Sequence, residues 1–402
     1  MPSRTSVQRS RSQLRLQTAS KTGKVSKPTA SIWEDGCVSH FLTSVASHRF
    51  LLLPSVLEKG IDQGFFNNNG AAAAEDEDSF CEVLGDFKCG LLLEKRYSSY
   101  ITKKDIDLYA SYGVNLIRVP VGYWAFMLRQ KGMHYHTGGQ LLALSRISQY
   151  AISKGMHVII DLHGLPGGQN GLDNQGKTGQ LTWWNNDKNF DDSIKMVNLA
   201  TDWIKIQPNN NQFTLSLINE PLPALYYFGQ TDASFEYLNK FYNASLATIR
   251  KKMKSLPVML SDGFSGAQTW EKWWSRTDLN IVWDTHIYFF QDKAYTYDAP
   301  YSACYLTKSY STAINPVFIG EWSVQAGPMN NIADDSRKLL FRSQLQAYTG
   351  MLAGGAFWNA KHNSTLVVGD DGSQQYMYWS WEQLASEGIV PRPGEKVEAV
   401  TC

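Results

Sequence analysis

The chain has 402 residues, of which 43% are hydrophobic, and its formal net charge is only +1. This length permits one large α/β barrel or two ordinary domains, and the near-neutral charge gives no electrostatic basis for binding nucleic acid. No apolar run reaches the roughly 18 residues that predict a membrane span. The 13 Trp, 20 Tyr and 18 Phe residues suffice for a large core and leave aromatic side chains for a binding cleft.

The cysteines and sequons give limited information. Five cysteines contain no CxxC pair, which argues against a structural zinc site. The odd count leaves at least one thiol unpaired if the others form disulfides. N-glycosylation sequons at Asn243 and Asn363 are compatible with secretion, although such triplets also occur by chance.

The N-terminal segment is basic and polar. Residues 1–30 contain seven Lys and Arg residues, many Ser and Thr residues and no acidic residue. Such a composition cannot bury a core, so we expect a disordered basic tail over residues 1–35 and a single barrel domain over residues 36–402. The tail is not a secretory signal, because no apolar core comes after its basic start. The Asn-, Ala- and acid-rich tract 65–78 is expected to be a solvated surface insertion.

From about residue 100 the sequence alternates between short apolar runs and longer amphipathic stretches. The predicted strands are 114–119, 157–162, 213–218, 257–261, 281–287, 316–320 and 354–358. The predicted helices are 102–112, 140–154, 193–206, 235–254 and 335–352. Almost wholly apolar strands that alternate with helices are typical of a parallel sheet. The pattern therefore predicts an α/β fold, a (β/α)8 TIM barrel, whose first strand must lie upstream of residue 100, where the signal is weak.

A glutamate stands within two residues of the end of two of these strands, Glu220 in the sequence Asn-Glu-Pro and Glu321 in Gly-Glu-Trp. A carboxylate at the end of a buried strand is unfavourable unless it lies in a cleft. Two of them predict a pair of carboxylates facing each other across one pocket, which is what glycoside hydrolysis requires. The alternative is that each glutamate only caps the next helix in the chain.

The remaining strand ends also carry polar or aromatic residues. They are Arg118, His163, Asn219, Asp262, His286, Tyr288 and Trp358. A single buried His or Arg is most often a core residue with its own partner. Several of them at one end of a barrel instead predict an active site, because chemistry in such barrels gathers where the strands end.

On these motifs the sequence resembles glycoside hydrolase family 5, and within it the fungal-type exo-β-1,3-glucanases, over roughly residues 80–390. The matching segments are 93–102, 117–124, 161–164, 166–174, 219–221, 286–288, 320–323 and 357–358. The stretch that includes Asp173 and Asn174 is the most specific for the exo-glucanase branch. The resemblance implies release of glucose from β-1,3-glucan without a metal or another cofactor. It also implies a monomer in the cell wall or outside the cell.

The resemblance assigns Glu220 as the acid/base and Glu321 as the nucleophile of a retaining double displacement. We expect burial and the charge of Glu321 to raise the pKa of Glu220, and Arg118 and Tyr288 to keep Glu321 ionised. Retention further requires carboxyl groups about 5–5.5 Å apart, against roughly 6.5–9.5 Å for inversion.

Substrate-binding roles are expected for the other residues at the strand ends. Asn219 is expected to bind the sugar 2-hydroxyl, and Trp358 offers a flat face to the pyranose ring. His163 and His286 are expected to position hydroxyl groups and the acid. Asp173 and Asn174 complete the predicted binding set. The aromatic groups 183–184, 226–228 and 270–274 are candidates to line outer sugar subsites, or else they pack between loops and helices.

The sequence departs from this family at its first strand. Members normally carry Gly-Gly-Trp and then Glu-Pro-Trp there, and the acid of the second motif holds the terminal sugar. Residues 39–52 lack both motifs, while residues 53–58 resemble the segment that members carry directly after them. The first strand is therefore divergent, and the sequence leaves open whether it forms. A missing first strand would leave a gap in the barrel wall and remove one specificity contact. Our hypothesis is that the N-terminal region is a divergent or imperfect gene product.

Two smaller points concern the same branch of the family. Leu172 stands where a Phe of the aromatic clamp is usual. Cys304 and Cys402 stand where members commonly have a disulfide that ties the tail to the body, which would imply an oxidising compartment.

Two other functions remain open from the sequence. One keeps the mechanism and changes the substrate to β-1,6-glucan, β-1,4-glucan or a steryl or lipid glucoside. The other is a non-catalytic glucan-binding wall protein, inactive because its first strand is degenerate.

Overall fold

The computed structural model describes the backbone of residues 49–52 and, in full, residues 56–221, 232–290, 299–326, 336–368 and 372–402, with the backbone of residues 334–335. Eight parallel strands form a closed barrel in sequence order. They are β1 Arg49–Leu52, β2 Val114–Gly122, β3 His157–Gly164, β4 Phe213–Ser216, β5 Val258–Ser261, β6 Ile281–Ile287, β7 Val317–Trp322 and β8 Gly355–Phe357. The predicted TIM barrel is confirmed.

The first strand forms in spite of its divergent sequence. The backbone of β1 pairs with β2, with Phe50 opposite Leu116, and with β8, with Phe50 opposite Ala356. This strand, whose formation the sequence left open, therefore closes the barrel between β8 and β2. Strand pairing uses backbone groups that almost every residue carries, so the missing motif does not prevent closure. The predicted tail, with its boundary at residue 35, lies outside the described residues.

The helices surround the barrel. They are α1 Lys59–Asn68, α2 Glu77–Leu84, α3 Asp86–Ser99, α4 Lys103–Ser111, α5 Gln140–Ser153, α6 Asp187–Lys205, α7 Asp232–Lys252, α8 Ala299–Tyr310, α9 Asp334–Met351, α10 Tyr376–Trp379 and α11 Trp381–Ser386. Helix α4 begins as predicted after Thr102, whose backbone N–H donates to Asp105 at 2.7 Å in a capping box. In the described part of the chain, no helix has both the length and the apolar character needed to cross a membrane.

The tract 65–78 is not the solvated insertion that its composition predicts. It forms the end of α1 and the start of α2, and Phe66, Ala71 and Ala74 are buried. Glu77 is also buried, and it accepts hydrogen bonds from Trp124 Nε1 at 2.7 Å and from the backbone of Leu57 at 3.1 Å. The prediction is wrong because the partners of these acidic residues come from distant segments, which local composition does not reveal.

The barrel interior has an apolar floor below a polar layer. The floor is a cluster of buried side chains formed by Leu116, Ile159, Met259, Val282, Phe318, Ala353 and Ala356. Side chains two positions apart on a strand point to the same side. Arg118, Asp161 and Asp284 each follow a floor residue by two positions and therefore also point inward. Charged groups thus lie at the carboxyl end of the barrel, above the apolar floor.

Two disulfides lie in the described part of the chain. Cys304 on α8 is joined to Cys402, so the predicted link between the tail and the body is confirmed. Cys81 on α2 is joined to Cys89 on α3, a pairing that was not predicted from the sequence.

Candidate active site

Glu220 and Glu321 meet at the carboxyl ends of β4 and β7. One carboxylate oxygen of each, together with one ring nitrogen of His286, lie within 4.8 Å of one another. Both glutamates are buried, with 8% and 4% of their surface exposed. The two glutamates therefore lie close together at one end of the barrel.

Neither glutamate caps a described α-helix. The α-helices described after Glu220 and Glu321 begin only at Asp232 and Asp334. Glu220 has a backbone φ of 42°, in the left-handed region that a non-glycine residue seldom adopts. Such a conformation costs on the order of 1–3 kcal/mol and is concentrated at functional sites.

Glu321 is held by two hydrogen bonds from opposite sides. Arg118 Nη1 donates to Oε1 at 2.9 Å, and the Tyr288 hydroxyl donates to Oε2 at 2.9 Å. Both of the contacts predicted for this carboxylate are present. They fix the orientation of the carboxylate and favour its charged form.

Glu220 has a different set of partners. His286 Nδ1 lies 2.8 Å from Oε1, and Asn174 Nδ2 donates to Oε2 at 2.9 Å. The same His286 nitrogen lies 3.4 Å from Glu321 Oε2, so the imidazole bridges the two carboxylates. Asn174, which was predicted to bind substrate, thus contacts the carboxylate of Glu220 directly.

The protonation pattern differs from the one predicted. Burial raises the pKa of Glu220, but the hydrogen bond and charge of His286 outweigh it and leave the pKa below its usual value. Burial lowers the pKa of His286, but Glu321, Asp284 and Glu220 raise it well above its usual value. The predicted rise in the pKa of Glu220 is therefore wrong for this arrangement, because the contact with His286 favours the ionised carboxylate.

The pKa of Glu321 is raised, although Arg118 and Tyr288 were expected to keep this carboxylate ionised. Burial raises it, and the charge of Glu220 adds to this effect. The charges of His286 and Arg118 lower it without fully compensating. The two carboxylates and the histidine therefore titrate as one coupled unit.

A buried network of charged side chains, centred on Arg118, contacts Glu321. Arg118 Nη2 lies 3.1 Å from Asp161 Oδ2 and 3.5 Å from Asp284 Oδ2, and it donates to Asn219 Oδ1 at 3.1 Å. Burial lowers the pKa of Arg118, but the charges of Asp161, Asp284 and Glu321 raise it above its usual value. The guanidinium is therefore a permanent positive charge beneath Glu321.

Asp161 and Asp284 were not assigned a role in the site from the sequence. A signal was nevertheless present, because each stands two residues before a predicted site histidine, His163 or His286, and so points to the same side of its strand. His163 Nδ1 lies 2.5 Å from Asp161 Oδ2, and His286 Nε2 lies 3.7 Å from Asp284 Oδ1.

The other predicted binding residues lie at the same end of the barrel. His163 Nε2 lies 3.2 Å from Asn219 Nδ2, and the His163 ring is stacked near Trp358, with centroids 5.7 Å apart and planes 17° apart. Trp358 is itself buried. A further residue without a predicted role, Gln169, donates to the backbone oxygens of His163 at 2.7 Å and Asn219 at 3.0 Å. It ties the loop after β3 to the end of β4.

Asp173 lies at the edge of this site. It opens a short 3-10 turn, Asp173–Gln175, and its side chain is half-buried. Burial raises its pKa, and the charges of Asp76 and Glu220 add to that rise. Its carboxylate lies in the same acidic region as Glu220 and Glu321, and it accepts a hydrogen bond from the backbone of the neighbouring Asn174.

Some of the outer aromatic side chains are buried in packing contacts, and others are partly exposed. Trp183, Trp270 and Trp274 are buried, and Trp183 packs edge-on against Phe241. Trp184 is only half-buried, and its Nε1 donates to the backbone of Gln169 at 2.8 Å. The group 226–228 lies outside the described residues.

An additional aromatic contact supports Tyr288. Trp379 stacks on Tyr288, with centroids 5.1 Å apart, and its Nε1 donates to Gln325 Oε1 at 2.5 Å. Trp379 was not among the residues predicted for the site.

Among the described residues, two groups bring three possible metal-ligating atoms together. One is the set Glu220, His286 and Glu321, whose atoms already bond to one another. The other is Asp78, Glu82 and His134, where the ammonium group of Lys177 already pairs with Asp78.

The cellulase family, described as glycosyl hydrolase family 5, matches residues 84–364. The chain is 28% identical over 375 residues to probable glucan 1,3-beta-glucosidase A of Aspergillus clavatus, covering 84% of this chain and 85% of that protein. It is 32% identical over 346 residues to glucan 1,3-beta-glucosidase 1 of Schizosaccharomyces pombe, covering 79% and 80%.

A solved structure is similar over nearly its whole length. The crystal structure of rutinosidase from Aspergillus niger superposes with a TM-score of 0.79 at 30% identity, covering 87% of this chain and 99% of that one.

Proposed function

The chain belongs to glycoside hydrolase family 5, and from that premise we propose that it is a retaining, exo-acting glucan 1,3-β-glucosidase. The observation that supports this most is the convergence of Glu220 and Glu321, with His286 between them, at the carboxyl end of the barrel. Relatives named glucan 1,3-beta-glucosidases over most of their length support the choice of substrate.

In the first step, an oxygen of Glu321 attacks the anomeric carbon of the terminal glucosyl unit. The bond between that carbon and the glycosidic oxygen breaks, and Glu220 gives a proton to the departing oxygen. A covalent glucosyl ester on Glu321 results. In the second step, Glu220 takes a proton from water, the water oxygen attacks the same carbon, and the ester bond breaks to release glucose.

The proton that Glu220 donates starts on His286. The 2.8 Å contact between His286 Nδ1 and Glu220 Oε1 lets the proton pass to the carboxylate when the leaving oxygen approaches. Arg118 and Tyr288 hold Glu321 in position for attack. Asn219, fixed between Arg118 and His163, is placed to bind the 2-hydroxyl of the sugar.

We place this activity outside the cell or in the cell wall, with a monomeric enzyme. The two disulfides fit an oxidising compartment. The sequon asparagines Asn243 and Asn363 are exposed and so are accessible to glycosylation.

Incubation of the purified protein with β-1,3-, β-1,6- and β-1,4-glucans tests the proposal. We expect glucose as the only early product, from the β-1,3-glucan, and proton NMR should show the β-anomer before mutarotation. Early release of oligosaccharides would contradict exo action, and the α-anomer would contradict retention. The Glu321→Gln variant serves as the inactive control.

A rutinosidase activity is the second candidate, because the similar Aspergillus niger structure carries that name. An aryl rutinoside in the same panel distinguishes the two, since this activity releases an intact disaccharide. A folded wild-type protein that turns over no glycoside at all would instead favour the non-catalytic glucan-binding alternative.

A further inference from the structure

Asn170 lies in the loop between β3 and α6, and only 3% of its surface is exposed. Its Oδ1 accepts a hydrogen bond from the backbone N–H of Leu172 at 2.9 Å, and its Nδ2 donates to Asn174 Oδ1 at 3.0 Å. The backbone N–H of Asn170 donates to Gln175 Oε1 at 2.9 Å, and Gln175 is buried as well. These bonds fix Asn170 within the loop.

The direction of these hydrogen bonds sets the orientation of two side-chain amides. The backbone N–H of Leu172 can only donate, so the atom of Asn170 that faces it must be the amide oxygen. The amide nitrogen of Asn170 then faces Asn174, and because it also can only donate, Asn174 must present its own oxygen to Asn170. The nitrogen of Asn174 is left to donate to Glu220 Oε2, at 2.9 Å.

The orientation of the Asn174 amide matters for the acid. If the amide were inverted, its oxygen would face Glu220 Oε2, and two acceptor oxygens repel each other when the carboxylate is ionised. The N–H that is present favours the ionised carboxylate and helps to hold its plane, while Oε1 contacts His286 Nδ1 at 2.8 Å. The side chain of Asn174 is only half-buried, so water can compete for its amide unless another group holds it.

We propose that Asn170 is a positioning residue for the acid/base Glu220 and acts through the amide of Asn174. This inference rests on the proposed glycosidase function, in which Glu220 protonates the departing oxygen. General acid catalysis requires the acid to lie within hydrogen-bond reach of that oxygen. Asn170 contributes by keeping Asn174 in the donating orientation and thereby Glu220 in one position. Its removal should therefore slow the reactions that need the proton and spare those that do not.

Two aryl glucosides that differ in their need for a proton test this role. The phenolate that leaves phenyl β-glucoside is a strong base and needs the acid, whereas the leaving group of 2,4-dinitrophenyl β-glucoside does not. In Asn170→Ala, kcat/KM for the phenyl glucoside should fall by about 10-fold, which is part of the roughly 10²- to 10⁴-fold that a general acid contributes. The value for the dinitrophenyl glucoside should stay close to that of wild type. Asn211→Ala, at an exposed asparagine in the turn before β4, is the control and should change neither value.

Removal of Asn174 shows whether Asn170 acts through it. Asn174→Ala should produce the same selective loss, and the double variant should lose no more than Asn174→Ala alone. Additive losses would overturn the proposal, because Asn170 would then act by another route. Asn170→Asp keeps the shape of the side chain and the bond from Leu172, but its ionised carboxylate cannot donate to Asn174. It should therefore also lose activity selectively on the phenyl glucoside.

Thermal unfolding establishes that each variant is folded, and Asn170→Asp carries the comparison if Asn170→Ala does not fold. Equal losses on both glucosides in a folded Asn170 variant would indicate a general structural role and overturn the proposal. Unchanged kcat/KM on both glucosides would overturn it as well, while leaving the proposed function intact. A wild-type protein that hydrolyses neither glucoside would contradict the proposed function, and with it this inference.

Discussion

Among individual residues, the central feature is the imidazole of His286, which contacts both Glu220 and Glu321. The carboxylates at 2.8 and 3.4 Å from the same ring nitrogen raise the pKa of His286 and so favour its protonated form. This division of charge was not predictable from the sequence. The glutamates could be identified from their place after apolar strands, but the bridging geometry requires the three-dimensional contact of β4, β6 and β7.

Replacement of the two glutamates should have different consequences. Glu321→Gln should reduce kcat/KM by on the order of 10⁴-fold or more on every substrate, since no ester can form. Glu220→Ala should reduce glucan hydrolysis by roughly 10²- to 10⁴-fold. It should retain much more activity on an aryl glucoside whose leaving group needs no proton. Equal losses on both substrates in Glu220→Ala would contradict the assignment of the acid.

Replacement of His286 should change the pH profile. The raised pKa of His286 keeps the shared proton in place to higher pH, so activity should fall only as the pH rises through that pKa. In His286→Gln the proton must lie on Glu220, and the alkaline limb of kcat/KM should move to lower pH by about one unit or more. Profiles on an aryl glucoside measure this shift. His134→Gln, a change outside the site, should keep the wild-type limb, and an unmoved limb in His286→Gln would refute the account.

At the level of secondary-structure elements, the sequence predicted the seven strands after residue 100 well. These strands are short apolar runs separated by predicted helices, a pattern that directly indicates a parallel sheet. Prediction failed in the region before residue 100, where α1 to α3 bury acidic and alanine-rich segments. Glu77 shows why, because its partners Trp124 and Leu57 are distant in sequence and give no local signal.

Glu77 should make stability depend on pH. Burial raises its pKa to about 7 in the folded protein, above the usual value of 4.5. Its protonated form therefore favours the folded state below about pH 4.5, and this contribution is lost as the pH rises to about 7. Relative to Glu77→Gln, wild type should lose up to about 3 kcal/mol of unfolding free energy across this window.

Guanidinium unfolding at several pH values measures this difference. Glu75→Gln, at an exposed glutamate, should keep a constant difference from wild type over the same range. A constant difference for Glu77→Gln as well would mean that Glu77 does not titrate in this window.

The two disulfides should contribute unequally. Cys304 and Cys402 are 98 residues apart, whereas Cys81 and Cys89 are 8 apart. Because a longer closed loop restricts the unfolded chain more, removal of the first should cost about 4–5 kcal/mol and removal of the second about 2–3 kcal/mol. Denaturant unfolding of the Cys402→Ala and Cys89→Ala variants tests this order. The reverse order would show that native-state packing outweighs the loop effect.

For the molecule as a whole, barrel closure is what brings the distant segments into one site. The eight strands place Glu220 and Glu321 at the same end of one sheet, above an apolar floor that excludes water from below. The net charge of +1 fits an uncharged polysaccharide substrate. The fold was predictable because the strand pattern repeats along the chain, whereas closure through the divergent β1 was visible only in the structure.

Trapping of the covalent intermediate tests the central claim most directly. A 2-deoxy-2-fluoro-β-glucoside with a good leaving group should form a stable ester, and mass spectrometry of the digested protein should find one fluoroglucosyl unit on the peptide that contains Glu321. Glu321→Gln should remain unlabelled. A label on another residue, or turnover of the parent glucoside without any label, would contradict the assignment of Glu321 as the nucleophile.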